Sequence, residues 1–453
     1  MQVLLVSLYE LGRQPFGLAS PAAWLKEVGA EVRCADLAVE PLVDELVISA
    51  DLVAVHVPMH TATRLAIPLA ERVRSLNPSA HLCFYGLYAP MNEGFLRDRL
   101  GAATILGGEF EEGLVSLVER LRAGSVDESQ PEPVVSLAKQ RFLIPDRSVL
   151  PSLDRYAYLT TPSGERRTVG YTEASRGCKH LCRHCPIVPV YGGRFRVVQR
   201  EIVLEDVRRQ VAAGARHITF GDPDFFNGPT HAVTIVEALH EEFPDVTYDV
   251  TIKVEHLLKQ ARHLETLRDT GCAFVTSAVE AVDDAVLEIF DKSHTRADFI
   301  ETARLFAELG LVLNPTFVTF TPWTTIESYL DLLALLAELD LVEHMTPVQY
   351  GIRLLIPDGS RLLELAEVCE LVDSFDEERL VYPWTHPDPR VDRLCEDVLA
   401  VVRDGQRRGA GREAIYGDVW ALAARANGRE TVAPTTAAPR RGPIPFLNEP
   451  WYC

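Results

Sequence analysis

The sequence predicts an α/β protein. An N-terminal doubly wound parallel sheet is followed by a partial (β/α)6 barrel and a helical C-terminal region. Three observations carry this reading. Short apolar runs alternate with helix-patterned segments over residues 1–122. The same alternation restarts near residue 161 and runs to about 360. Between them, residues 123–160 open on a Gly/Ser/Pro/Glu-rich stretch that reads as a linker. Alternating strands and helices give parallel sheets, with ligands at the C-terminal strand ends.

Each element has its own warrant. In the first part, apolar strand patterns fall at 3–7, 31–34, 52–57, 81–85 and 104–106. Residues 21–28 have helical spacing and stop at Gly29, as a C-terminal glycine cap requires. A last helix covers 110–122. The segment 123–133 reads as exposed, and 142–158, rich in Pro and Asp, as a wrap around the next domain. In the second part, strands are expected at 168–173, 217–220, 247–252, 273–278, 312–319 and 349–355. Helices fill the gaps at 203–213, 231–242, 297–309 and 325–339, with Thr325 as an N-cap. Six such units make a barrel whose site lies at the strand C-termini. Residues 361–430 are mostly helical. Residues 431–453 are a low-complexity tether ending in two aromatics and Cys453.

Composition bounds the function. A chain of 453 residues is long enough for two or three domains. Its 45 basic and 65 acidic residues leave a net charge of −20, which disfavours nonspecific nucleic-acid or anionic-membrane binding. No run approaches a membrane span and the N-terminus lacks a basic leader, so a cytoplasmic protein is expected. Nine cysteines, three of them clustered, fit metal use in a reducing compartment better than a disulfide framework.

The cluster is Cys178, Cys182 and Cys185, spaced Cys-x3-Cys-x2-Cys. Three thiolates can hold three irons of a cubane and leave the fourth open to a substrate. A zinc site is the competing reading, with His180 or His184 as fourth ligand, but no second Cys pair lies nearby. This pattern resembles the signature of the radical S-adenosylmethionine (SAM) superfamily. The resemblance implies a [4Fe–4S] cluster on the three cysteines, SAM chelated at the open iron, a partial barrel, and a one-electron reductant such as ferredoxin or flavodoxin.

Polar residues at strand ends are the next candidates. Gly221, Asp222 and Asp224 follow the second barrel strand, where the resemblance implies contact with the SAM amine; an ordinary turn uses the same residue types. Lys253 and Glu255 follow the third strand and Glu280 the fourth, facing either the barrel mouth, toward SAM ribose or carboxylate, or solvent. Arg296 or Lys292 pairs with a ligand carboxylate or marks a solvated helix start. Arg353 binds a substrate carboxylate or forms a surface ion pair.

A doubly wound, flavodoxin-like domain ahead of such a barrel resembles the cobalamin-binding class, and Gly107-Gly108 its late glycine loop. The Asp-x-His-x-x-Gly cobalt-ligand motif is absent, so cobalamin stays open. Over nearly the whole chain the sequence is similar to radical SAM proteins named for a Cys-Sec-Ala-Glu-Pro or Cys-Cys-Ala-Glu-Pro tail. The resembling segments are the Cys178 loop, Gly221-Asp222-Pro223-Asp224-Phe225, residues 320–325 and 349–355, and Glu449-Pro450-Trp451-Tyr452-Cys453. The chain stops at the first Cys of that tail. Selenocysteine is encoded by a codon usually read as stop, so the expectation is a gene that continues with Sec-Ala-Glu-Pro. Cys453 then becomes a mobile catalytic thiol, or else a docking anchor.

The expected function is reductive SAM cleavage that modifies a small molecule by radical or methyl transfer. The alternatives are 3-amino-3-carboxypropyl transfer to a soft acceptor, or an iron–sulfur redox or metalloid sensor.

Overall fold

The computed structural model describes residues 1–124, 132–428, 433–434 and 444–448. The first sheet contains β1 (Gln2–Ser7), β2 (Glu31–Asp36), β3 (Leu52–His56), β4 (His81–Tyr85), β5 (Thr104–Gly108) and β6 (Val135–Ser136). All pair in parallel, in the order β2-β1-β3-β4-β5-β6. The order reverses between β1 and β3, which opens a crevice outside their C-terminal ends. Both faces are covered by helices, so strands such as β3 and β5 are buried along their whole length.

The segment after residue 131 is ordered packing. β6 extends the first sheet. Phe142 and Leu153 enter the core of the second part. Arg147 bridges the two parts, pairing with Asp206 at 2.7 Å while donating to Gln14 Oε1 at 2.8 Å. The segment 142–158, expected to wrap the second part, packs on both: Val149 and Leu150 lie against the first core, and Tyr156 donates to Asp36 at 2.8 Å. Of the exposed stretch 123–133, residues 125–131 lie outside the described ones.

The second sheet begins with the hairpin β7 (Tyr158–Thr160) and β8 (Arg166–Thr172). A small ribbon, β9 (Ser175–Gly177) and β10 (Phe195–Val197), follows and carries the cysteine loop. Then come β11 (His217–Phe220), β12 (Thr247–Thr251), β13 (Cys272–Glu280) and β14 (Leu313–Phe317). β8, β11, β12, β13 and β14 are parallel neighbours with helices outside them, a curled partial barrel. The sixth strand expected at 349–355 shrinks to one bridge between Phe320 and Arg353. Pro347–Gly351 is a 3-10 helix instead: Pro347 has no N–H for a ladder, and a Cβ on Gly351 would lie 2.5 Å from Leu399.

The C-terminal region is helical as expected, with long helices Pro389–Arg407 and Arg412–Ala426 packed on the barrel. A last strand, β15 (Phe446–Leu447), returns to pair antiparallel with β7. Among the described residues no helix is long and apolar enough to cross a membrane.

Candidate active site

The cysteine loop sits over the C-terminal ends of the barrel strands. Arg176 leads into it and is buried at 7 % exposure. It pairs with Glu111 at 2.8 Å, Glu173 at 2.7 Å and Glu109 at 3.4 Å, tying the end of β5 and the helix after it to the loop. Gly177 then takes φ +73°, and a Cβ there would stand 2.3 Å from Tyr191, so only glycine turns the chain here. Asn227 Oδ1 accepts from the Lys179 amide at 3.3 Å and lies 3.9 Å from Cys178 Sγ.

All three thiols are free, Cys182 buried and the other two half-buried. Burial raises the Cys178 thiol and pushes Cys185 up to about 12. Burial thus favours the neutral thiol at Cys178 and Cys185, and a bound metal cation would favour the thiolate. The donor set fits an iron–sulfur cluster. Cys178, His180 and Asp224 also present ligand atoms within 4.8 Å of one another.

The two histidines of the loop are held by separate sets of barrel residues. His180 Nε2 lies 3.4 Å from Asp224, which also meets His256 Nδ1 at 2.6 Å. On its other side, His180 Nδ1 is 3.2 Å from Lys253 Nζ and 3.6 Å from Glu255. Burial works to raise the Asp224 carboxyl, but His180 and His256 outweigh it and hold it below its usual value. His184 Nε2 meets Glu280 at 3.1 Å, and Lys292 Nζ reaches the same carboxylate at 3.4 Å. Burial opposes ionisation of Glu280, yet Lys292 and His184 hold it down to about 2. Neighbouring His294 is kept neutral, pushed down to about 4 by burial and then by Lys292 and Lys253.

Asp224, Lys253, Glu255 and Glu280 thus converge on the cysteine loop, together with Lys292. Asp222 is beside them but committed: its oxygens accept from the Ala174 amide at 2.9 Å and Ser175 Oγ at 2.5 Å, and burial lifts it to about 7. Gly221 leaves room for Tyr171, whose hydroxyl would be 1.7 Å from a Cβ. Arg296 does not join the group. It pairs with Asp331 at the start of helix Arg296–Leu309, the solvated helix-start reading. Arg353 likewise pairs with Asp392 at 2.7 Å and stacks on Trp384. Cys453 lies outside the described residues.

Sequence reasoning weighed His180 and His184 only as zinc ligands and missed His256 and the Arg176 carboxylate nest. The signal available was weak: charged residues flanking a cysteine motif, with Glu111 65 residues from Arg176 and Glu280 96 from His184.

Between the two parts lies a cavity of about 360 Å³, lined by Glu10, His56, Gly86 and Gly108 on one side and Tyr171 and Gly177 on the other. Gly107 does not line it; a Cβ there would meet Pro90 at 2.1 Å. The glycines are already used by the protein itself. A Cβ on Gly17 would lie 2.0 Å from His56, and one on Gly86 3.0 Å away. His56 is pinned by Glu10 at 2.7 Å and packs on Tyr85 and Phe110. The volume is at the lower end of the range for small-molecule sites, which is roughly 300–1,000 Å³.

Residues 172–336 match the profile of the radical SAM superfamily, so the chain carries a radical SAM domain, whose cofactors are a [4Fe–4S] cluster and SAM. The chain is 27% identical over 322 residues to the hopanoid C-3 methylase of Methylococcus capsulatus, covering 68% of this chain and 62% of that protein. It thus spans less than two thirds of that relative's length. Solved structures that share the fold include two enzymes bound to cobalamin, SAM or a SAM analogue. The cobalamin-dependent SAM radical enzyme OxsB, with aqua-cobalamin and SAM bound, superposes with TM-score 0.71 at 16% identity over 89% of this chain and 67% of that one. The radical SAM methyltransferase TsrM of Kitasatospora setae, with tryptophan and a SAM analogue, gives 0.68 at 17% identity over 96% of both chains.

Proposed function

We propose that this chain is a radical SAM enzyme acting on a small molecule by radical or methyl transfer. Cys178, Cys182 and Cys185 hold the cluster, which when bound supplies the electron for SAM cleavage. Asp224, Lys253, Glu255, Glu280 and Lys292 fix the loop through His180 and His184 and offer charged groups to SAM. The observation that carries this reading is the convergence of these strand-end residues on the cysteine loop. An external reductant such as ferredoxin or flavodoxin completes the cycle.

The test is anaerobic reconstitution with iron and sulfide, then mass spectrometry of SAM products with dithionite. Release of 5′-deoxyadenosine by wild type and none by Cys182→Ala is the expected result. Methylthioadenosine instead favours aminocarboxypropyl transfer. No cleavage by a protein with a formed cluster overturns the reading in favour of a redox sensor.

Cobalamin is the second reading. The fold shared with cobalamin-containing OxsB supports it; the His56–Glu10 pair speaks against it. Anaerobic equilibrium dialysis with hydroxocobalamin decides, a bound corrin spectrum being the positive result. The Cys-Sec-Ala-Glu-Pro tail rests on motif residues alone. Coding DNA lacking UGA, or lacking Ala-Glu-Pro codons, after Cys453 removes it.

A further inference from the structure

The inside of the barrel is polar and hollow. Inward positions carry Thr219 on β11, Asp249 and Thr251 on β12, Thr276 on β13, and Asn314 and Thr316 on β14. All six line one cavity of about 230 Å³. Parallel barrels ordinarily fill this space with layers of branched aliphatics. Here the aliphatics Val250, Val275 and Leu313 are buried at the alternate positions. Below, Leu159, Val169, Phe274 and Leu447 form an apolar plug.

The chain itself supplies the missing wall. Ile444–Leu447 line the cavity. The Arg412 guanidinium sits 5.3 Å above the Phe446 ring and donates to the Glu343 carbonyl, also lining the space. Above, this lumen shares Leu11, Arg13, Gly221, Asp222 and Thr251 with the interdomain cavity, whose wall includes Gly177 beside Cys178.

We infer that the lumen binds a small carboxylic acid bearing an amine or hydroxyl, of amino-acid or hydroxy-acid class. Its volume is below the drug-sized range, which suits a ligand of metabolite size. Asp249 accepts from Thr219 at 2.5 Å and His217 Nε2 at 2.9 Å, both through Oδ1. A carboxylate has further acceptor sites, and an ammonium or hydroxyl is the complementary group. Arg412 donates to a carbonyl and stacks on a ring, with the Glu343 carboxylate acting on it at longer range, and a guanidinium's fork matches a ligand carboxylate. Threonine hydroxyls and Asn314 serve the remaining polar atoms. The radical SAM reading is needed only for the ligand's fate, since binding stands on the lumen alone.

Saturation-transfer NMR on the full-length protein, with pools of proteinogenic L-amino acids, L-lactate and L-malate, tests this. At least one compound binds. Asp249→Asn and Arg412→Gln each weaken it by about tenfold or more, and Thr316→Val by a few-fold. Thr316→Val is close in shape and decides if a charged-site variant does not fold. No binding by any compound, or affinities unchanged in every folded variant, overturns the inference. The readout needs neither cluster nor turnover, so a failure of SAM cleavage and a failure of lumen binding are separate results.

Discussion

Arg176 shows how much one residue can hold. It is a buried cation facing three carboxylates, and Glu109 is pushed up to about 7 by burial despite the guanidinium beside it. Removing the cation leaves Glu111 buried and uncompensated at 0 % exposure. Breaking a buried ion pair from one side costs roughly 3–5 kcal/mol. Arg176→Met is therefore expected to lower the thermal midpoint sharply and to loosen the cysteine loop; calorimetry with and without reconstitution measures both. Asp36 offers a pH prediction away from the loop. It accepts from Tyr156 at 2.8 Å, and burial outweighs that bond, lifting it to about 6. A carboxyl with a raised folded pKa favours the fold when protonated, so its contribution is lost as pH rises from about 4 to about 6. The shift is worth up to about 3 kcal/mol. The thermal midpoint of Asp36→Asn should therefore gain on that of wild type as pH is raised from about 4 to 7.

Elements with a clear period were readable in the chain itself. β3 and β4 lie where the apolar runs place them, because burial on both faces leaves a nearly uninterrupted apolar signature. Thr325 caps its helix with a reciprocal bond to Ser328. Thr295 does the same through Asp298, and Thr295→Ala should cost about 1 kcal/mol in chemical denaturation. The sixth strand failed because Tyr350, Ile352, Leu354 and Leu355 suggest a strand while Pro347 and Gly351 dictate another backbone. β15 was illegible: two residues in a low-complexity stretch have no period, and only the partner edge at β7 makes them a strand. The site was legible at its cysteines, since their spacing is local. Asp224, Lys253 and Glu280 were candidates from their places at strand ends, but their pairing with His180 and His184 was not legible, because those contacts form only once the barrel has curled.

At the scale of the whole molecule, the two parts are fastened through Arg147 and Arg176, both crossing from one sheet system to the other. The cysteine loop therefore reports on the docking of the N-terminal domain. Anything that binds the folded state alone stabilises it by mass action. Reconstitution with iron and sulfide should raise the thermal midpoint of wild type by several degrees, and Cys182→Ala should lose the increment in differential scanning calorimetry.

The wall formed by β15 also sets an order of events during synthesis. Tyr158 and Asn448, which exchange backbone and side-chain bonds at this edge, are 290 positions apart. A ribosome delivers the first at a time when the second has yet to be translated, and domains fold as they emerge. The barrel strands and cysteine loop can therefore settle, and accept metal, with the lumen still open on one flank. Closure is left to a segment translated after the barrel strands, so a nascent chain stalled short of it would carry the cysteine loop above an unwalled lumen.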